Sequence, residues 1–149
     1  MIKNYQIKNL EDLKNLAKEI SLQVKPETVI YLNGNLGAGK TTFTQYLLSE
    51  LDVKENVVSP TFTFLRIYNA QLNIYHYDFY RIDETLDDAK KLNMLEQIQF
   101  FENLNDKNGV VIVEWSVNAA KLLPQPTLSI TINVNEDTRN IEIEYPTTI

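Results

Sequence analysis

The stretch Thr28-Val29-Ile30-Tyr31-Leu32-Asn33-Gly34-Asn35-Leu36-Gly37-Ala38-Gly39-Lys40-Thr41 decides the fold. Thr28 to Leu32 read as a short apolar strand, and Gly34 to Thr41 satisfy the spacing G-x-x-x-x-G-K-[ST]. Thr41 to Leu51 then read as a helix burying Phe43, Leu47 and Leu48. In such a junction glycines let the backbone curl, so that consecutive N–H groups point inward. The helix amino end adds partial positive charge. A loop of this kind cradles phosphate. Lys40 would reach the β- and γ-phosphates, and the Thr41 hydroxyl would ligate Mg²⁺. Of the four glycines in the chain, three lie in this window, which argues against a chance turn.

Upstream, Tyr5 to Leu10 read as a first strand. Leu13, Leu16, Ala17 and Ile20 follow at helical spacing, with Glu11 and Asp12 in the favourable first turn. Downstream, Phe62 to Tyr68 and Leu72 to Tyr80 flank Asn69-Ala70-Gln71 and predict an antiparallel hairpin. Asp83 is placed to cap a helix carrying Leu86, Ala89, Leu92, Leu95, Ile98 and Phe101. After Gly109, the unbroken apolar run Val110 to Val113 suits a strand buried on both faces. A short helix near Val117 to Leu122 ends before Pro124, and Leu128 to Val134 with Asn140 to Tyr145 form a second hairpin. Strands alternating with helices imply an α/β fold of the P-loop NTPase kind. Its mixed central sheet is flanked by helices and extended by antiparallel edge hairpins, in a single domain over residues 1–149.

A chain of 149 residues, 44% hydrophobic and 23% charged, matches one soluble domain. The absence of cysteine excludes disulfides and thiolate metal sites. The first residues lack the apolar run of a signal peptide, and no stretch approaches the ~20 apolar residues that span a bilayer. A cytoplasmic protein with no membrane partner is expected. Net charge is -6, and the only arginines are Arg66, Arg81 and Arg139. This balance opposes tight, unassisted binding of nucleic acid, DNA included, but permits a partner that holds the nucleic acid instead.

Two acidic residues are candidates for metal and water. Glu114 closes the buried strand, at the sheet edge where open α/β folds bind ligands, and a carboxylate there can hold Mg²⁺ or orient water. Asp78 lies among aromatics in Ile74-Tyr75-His76-Tyr77-Asp78-Phe79-Tyr80-Arg81 and needs a partner. The metal shell, Arg81 or a backbone amide would each serve. His76, the sole histidine, shares the strand face of Asp78 and reads as structural rather than catalytic. In Ser59-Pro60-Thr61-Phe62-Thr63 a threonine can touch metal, phosphate or water, or simply suit a pleated strand. Trp115 either covers a nucleotide or fills core volume.

Taken together, Gly34 to Phe43, Ser59 to Thr63, His76 to Arg81 and Glu114-Trp115 resemble the TsaE (YjeE) family across nearly the whole chain. The resemblance implies an ATPase, weak alone, that uses ATP and Mg²⁺. It would act with TsaD and TsaB in threonylcarbamoyl modification of the adenosine beside the anticodon of ANN-decoding tRNAs, and tRNA would be met only through that complex. By position, it implies catalytic roles for Lys40, Asp78, Glu114, Thr61 and Thr63. Nucleotide contacts would come from Gly34, Asn35, Leu36, Gly37, Ala38, Gly39, Lys40, Thr41 and Thr42. Further contacts would come from Asp78, Phe79, Tyr80, Arg81, Trp115 and Arg139. Thr41 and Glu114 would hold the metal. Ser116 stands where the family often has proline, and the N-terminal segment expected near adenine does not transfer residue by residue.

Two other readings share the loop. A small-molecule kinase usually enlists several lid arginines, and no Arg-rich segment follows the central helix. A nucleotide-gated docking protein would need binding without turnover. A GTPase is disfavoured, because Asp106-Lys107-Asn108-Gly109 precedes a strand and no Asn-Lys-x-Asp motif occurs.

Overall fold

Seven strands join into one sheet in the computed structural model of the chain, which describes residues 1–146. They are β1 (Ile2–Ile7), β2 (Val29–Asn33), β3 (Leu65–Asn69), β4 (Asn73–Asp78), β5 (Gly109–Glu114), β6 (Leu128–Asn135) and β7 (Thr138–Glu144). The helices are α1 (Leu10–Ser21), α2 (Lys40–Glu50), α3 (Asp88–Gln97) and α4 (Phe100–Leu104), with a 3₁₀ helix at Ser116–Leu122. Across the sheet the order is β1-β7-β6-β2-β5-β4-β3. β6, β2, β5 and β4 pair in parallel. At one edge β3 runs antiparallel to β4, and at the other β7 runs antiparallel to both β6 and β1. The α/β class with a parallel centre and antiparallel edges is as the sequence predicts. No helix among the described residues is long and apolar enough to cross a membrane.

The pleat sorts the core into two layers. Val110 and Ile112 of β5 and Ile74 of β4 pack with Phe43, Leu47 and Leu48 on the α1–α2 face. Val111, Val113 and Tyr77 pack with Leu95 and Phe100 on the other. β5 is buried at every position, which is why its sequence is continuously apolar until Glu114. Side chains alternate along a strand. His76, Asp78 and Glu114 therefore share the face on which α2 lies. Register places Asp78 beside Glu114 and His76 beside Ile112.

Four local boundaries depart most from the sequence reading. β1 covers Ile2–Ile7 instead of Tyr5 to Leu10, because Asn9 caps α1 by accepting from the Asp12 N–H at 2.8 Å and draws Leu10 into the helix. Asp87, not Asp83, caps α3, accepting from the Lys90 N–H. Asp83 instead closes a local turn with the Thr85 N–H and hydroxyl. The central helix breaks at Gln99, whose φ is 58°, so Phe100 rather than Phe101 is fully buried. β3 starts only at Leu65, since Thr61 to Thr63 form a turn and Phe64 has φ 64°.

Gly34 leaves β2 at φ 152°, hard against β6, where an added Cβ would lie 2.9 Å from the Ile132 carbonyl oxygen. Gly34→Ala is expected to lower stability by about 1–3 kcal/mol, through backbone strain and forced movement of β6. An unchanged urea midpoint would refute this contact.

Candidate functional site

The carboxyl ends of β2, β4 and β5 meet at one edge of the sheet, and the loop Gly34 to Thr41 turns back over them. Gly39, at φ 108°, starts α2 in the left-handed region, and no side chain caps that helix. α1 and α3 both carry a side-chain cap and acidic residues in the first turn; α2 has neither. Its amino end therefore keeps N–H groups and partial positive charge for an outside anion.

Beneath that end lies a chain of polar contacts. Lys40, 7% exposed, holds its Nζ 3.6 Å from Oε1 of Glu114 and 4.7 Å from the centre of the Trp115 ring. Oε2 of Glu114 sits 2.6 Å from Nε2 of His76. On the neighbouring strand Asp78 accepts from the Thr61 hydroxyl and from the Tyr80 N–H, both at 2.9 Å. Ser59 and Thr61 share a further hydrogen bond at 2.7 Å. A cleft of about 270 Å³ gathers Lys40, Thr41, Thr61, Asp78, Glu114 and Trp115. Burial raises the Asp78 carboxyl above its ordinary value, and the Glu114 charge adds to this, against the hydrogen bonds from Tyr80 and Thr61 and the charge of Lys40.

Hydroxyl and carboxylate oxygens are the hard donors that Mg²⁺ prefers, and Thr41, Asp78 and Glu114 supply them here. Among the described residues no three His, Cys, Asp or Glu side chains converge into a cage.

Other residues named from the sequence fall in different places. Leu36, Gly37, Gly39 and Thr42 also line the cleft, while Gly34, Asn35 and Ala38 border an adjoining hollow. Arg139 donates through Nε to the Ala38 carbonyl at 3.1 Å and lines a cavity of about 350 Å³ with Lys8, Asn9 and Thr42. Tyr80 packs on Trp115, with ring centres 5.0 Å apart. Three expectations are corrected. Phe79 is fully buried against Tyr77 and Phe100, so it serves the core and not the cleft. Arg81 donates to the Phe62 carbonyl and lies by the Phe62 and Phe64 rings, because the chain leaves the sheet after Asp78. It is not the partner of Asp78. The Thr63 hydroxyl turns to the Leu65 carbonyl, so Thr61 alone of the two threonines reaches the carboxylate. His76, read as structural, touches Glu114 directly; its shared parity with Asp78 was the available signal.

The family model described as "Threonylcarbamoyl adenosine biosynthesis protein TsaE" matches residues 7–141, a span that includes the loop, Asp78, Glu114 and Arg139. The chain belongs to the TsaE family. Among curated TsaE proteins, all named for tRNA threonylcarbamoyladenosine biosynthesis, that of Bacillus subtilis is 38% identical over 135 residues, covering 89% of this chain and 79% of the relative. That of Rickettsia prowazekii is 33% identical over 139 residues, covering 92% and 90%. The crystal structure of YdiB from Bacillus subtilis superimposes with a TM-score of 0.73 at 32% identity, covering 96% of this chain and 84% of that one. TsaE membership thus places the chain in tRNA threonylcarbamoyladenosine biosynthesis.

The raised Asp78 carboxyl has a consequence for stability. Between the ordinary carboxylate value and the raised one, the native state holds more protons than the unfolded state, so stability falls as pH rises through that window. Asp78→Asn, which keeps an acceptor for the Tyr80 N–H, should therefore raise Tm at neutral pH. The advantage should shrink as pH falls toward about 4. A lower Tm than wild type at pH 7 in thermal melts would contradict it.

Proposed function

We propose that the chain is an ATPase that works with TsaD and TsaB in threonylcarbamoyl modification of tRNA, resetting that complex through ATP hydrolysis. The observation that carries this reading is the meeting, in one cleft, of an uncapped helix start, a lysine and two neighbouring carboxylates. Loop and α2 amides would hold the β-phosphate, and Lys40 would bridge the β- and γ-phosphates. Thr41 and Glu114 would hold Mg²⁺, which when bound neutralises charge between those phosphates. Asp78, oriented by Thr61 and Tyr80, would position the attacking water at the far end of the cleft. Thr42 borders both the cleft and the cavity beside Lys8, Asn9 and Arg139, so the sugar and base would run that way.

The arginines speak against the kinase reading. Arg66 is exposed on β3 and Arg81 is held at Phe62, so Arg139 alone reaches the loop. With a net charge of -6, the protein suits docking on a complex that itself holds the RNA.

ATPase activity measured with and without purified TsaB and TsaD tests the reading. Turnover should rise with both companions present. Lys40→Ala should weaken ATP binding by at least about 100-fold, or about 2.7 kcal/mol. Thr41→Ala should lose the Mg²⁺-dependent part of binding. Glu114→Ala and Asp78→Ala should still bind nucleotide while losing hydrolysis and, with it, tRNA modification. Modification that survives in the Glu114 variant without turnover would replace the ATPase with nucleotide-gated docking. Robust turnover on a nucleoside or small acid without any companion would favour a kinase.

A further inference from the structure

His76 lies at 1% exposure within β4, where an apolar side chain would pack without a polar penalty. Its Nδ1 has no hydrogen-bond partner among the described residues. A buried imidazole that leaves one nitrogen unpaired is a poor structural choice on its own terms. What it does make is one short contact, Nε2 to Oε2 of Glu114 at 2.6 Å. A carboxylate only accepts, so Nε2 carries the proton.

That contact reaches diagonally across two strands. His76 stands beside Ile112 in register, and Glu114 lies two residues further along β5 on the same face. With Oε2 tied down below, Oε1 is the oxygen left at Lys40, 3.6 Å away at the cleft. The rotation of the Glu114 carboxylate is thereby set by a side chain that does not line the cleft.

We propose that His76 is a positioning residue: it clamps Oε2 of Glu114 so that Oε1 is presented for Mg²⁺ in the nucleotide cleft. The proposal rests on the ATPase reading, since Glu114 is a metal ligand only there. Hydrogen bonds that orient a metal-ligating side chain typically change metal affinity about 10–100-fold when removed.

The test is calorimetric titration of the full chain with a non-hydrolysable ATP analogue, in Mg²⁺ and again in EDTA. His76→Leu removes the donor. It is expected to weaken binding about tenfold or more in Mg²⁺ while leaving EDTA binding within about twofold. His76→Gln, whose amide nitrogen falls near the Nε2 position, should restore Mg²⁺-dependent binding to within about threefold. In a Glu114→Gln background, His76→Leu should have no further effect. If His76→Leu fails to fold, His76→Asn replaces it, since its shorter amide stays polar but withdraws the donor from Glu114.

Equal losses in Mg²⁺ and EDTA would overturn the proposal. So would an undiminished effect in the Glu114→Gln background, or unchanged Mg²⁺-dependent binding in the Leu variant, or in the Asn variant where that replaces it. Wild-type protein that binds the analogue no better with Mg²⁺ than without would instead remove the metal role of Glu114, and the proposal with it.

Discussion

Lys40, His76 and Glu114 are almost wholly shielded from solvent, and the architecture around them keeps their charges and protons matched. A buried ion left alone costs several kcal/mol, more than most single contacts return. The match needs three elements at once. β5 delivers Glu114 at its carboxyl end, β4 delivers His76 one strand away on the same face, and α2 begins with Lys40 directly above. A one-residue slip of β4 against β5 would turn His76 and Asp78 toward Leu95 and Phe100 and strand Glu114 without its hydrogen bond.

The apolar layers enforce that register. Val110 and Ile112 fit under α2 only if Val111 and Val113 fit against Leu95 and Phe100, so packing on both faces of β5 resists a slip. The polar cleft is thus built at the margin of a rigid sheet, with Ser59 and Thr61 from a turn closing one side. Asp78 sits in this margin against its own preference for water, its carboxyl lifted by burial. Such local cost at a site, offset by a well-packed core, is where a functional requirement overrides stability.

Much of this was legible in order along the chain. The glycine-rich loop is a local pattern, since its glycines and the lysine that follows lie within eight consecutive residues. Glu114 was legible because an apolar run names a buried strand and a charge at its end names an edge. The neighbours of Asp78 were less so. Phe79 and Arg81 adjoin it in sequence, yet the strand ends at Asp78 and each then turns a different way. Asp83 is the cap the sequence suggests, yet it closes a turn with Thr85 and leaves the helix start to Asp87.

By itself the sequence determined the fold class, the loop, the buried central strand and the face shared by His76 and Asp78, because each follows from spacing within one segment. The tertiary structure alone decided that His76 meets Glu114, 38 residues away, that Thr61 and not Thr63 meets Asp78, and that Arg139 reaches the loop from the far hairpin. Those contacts depend on strand order and register, which arise when side chains distant in the chain compete for the same buried volume.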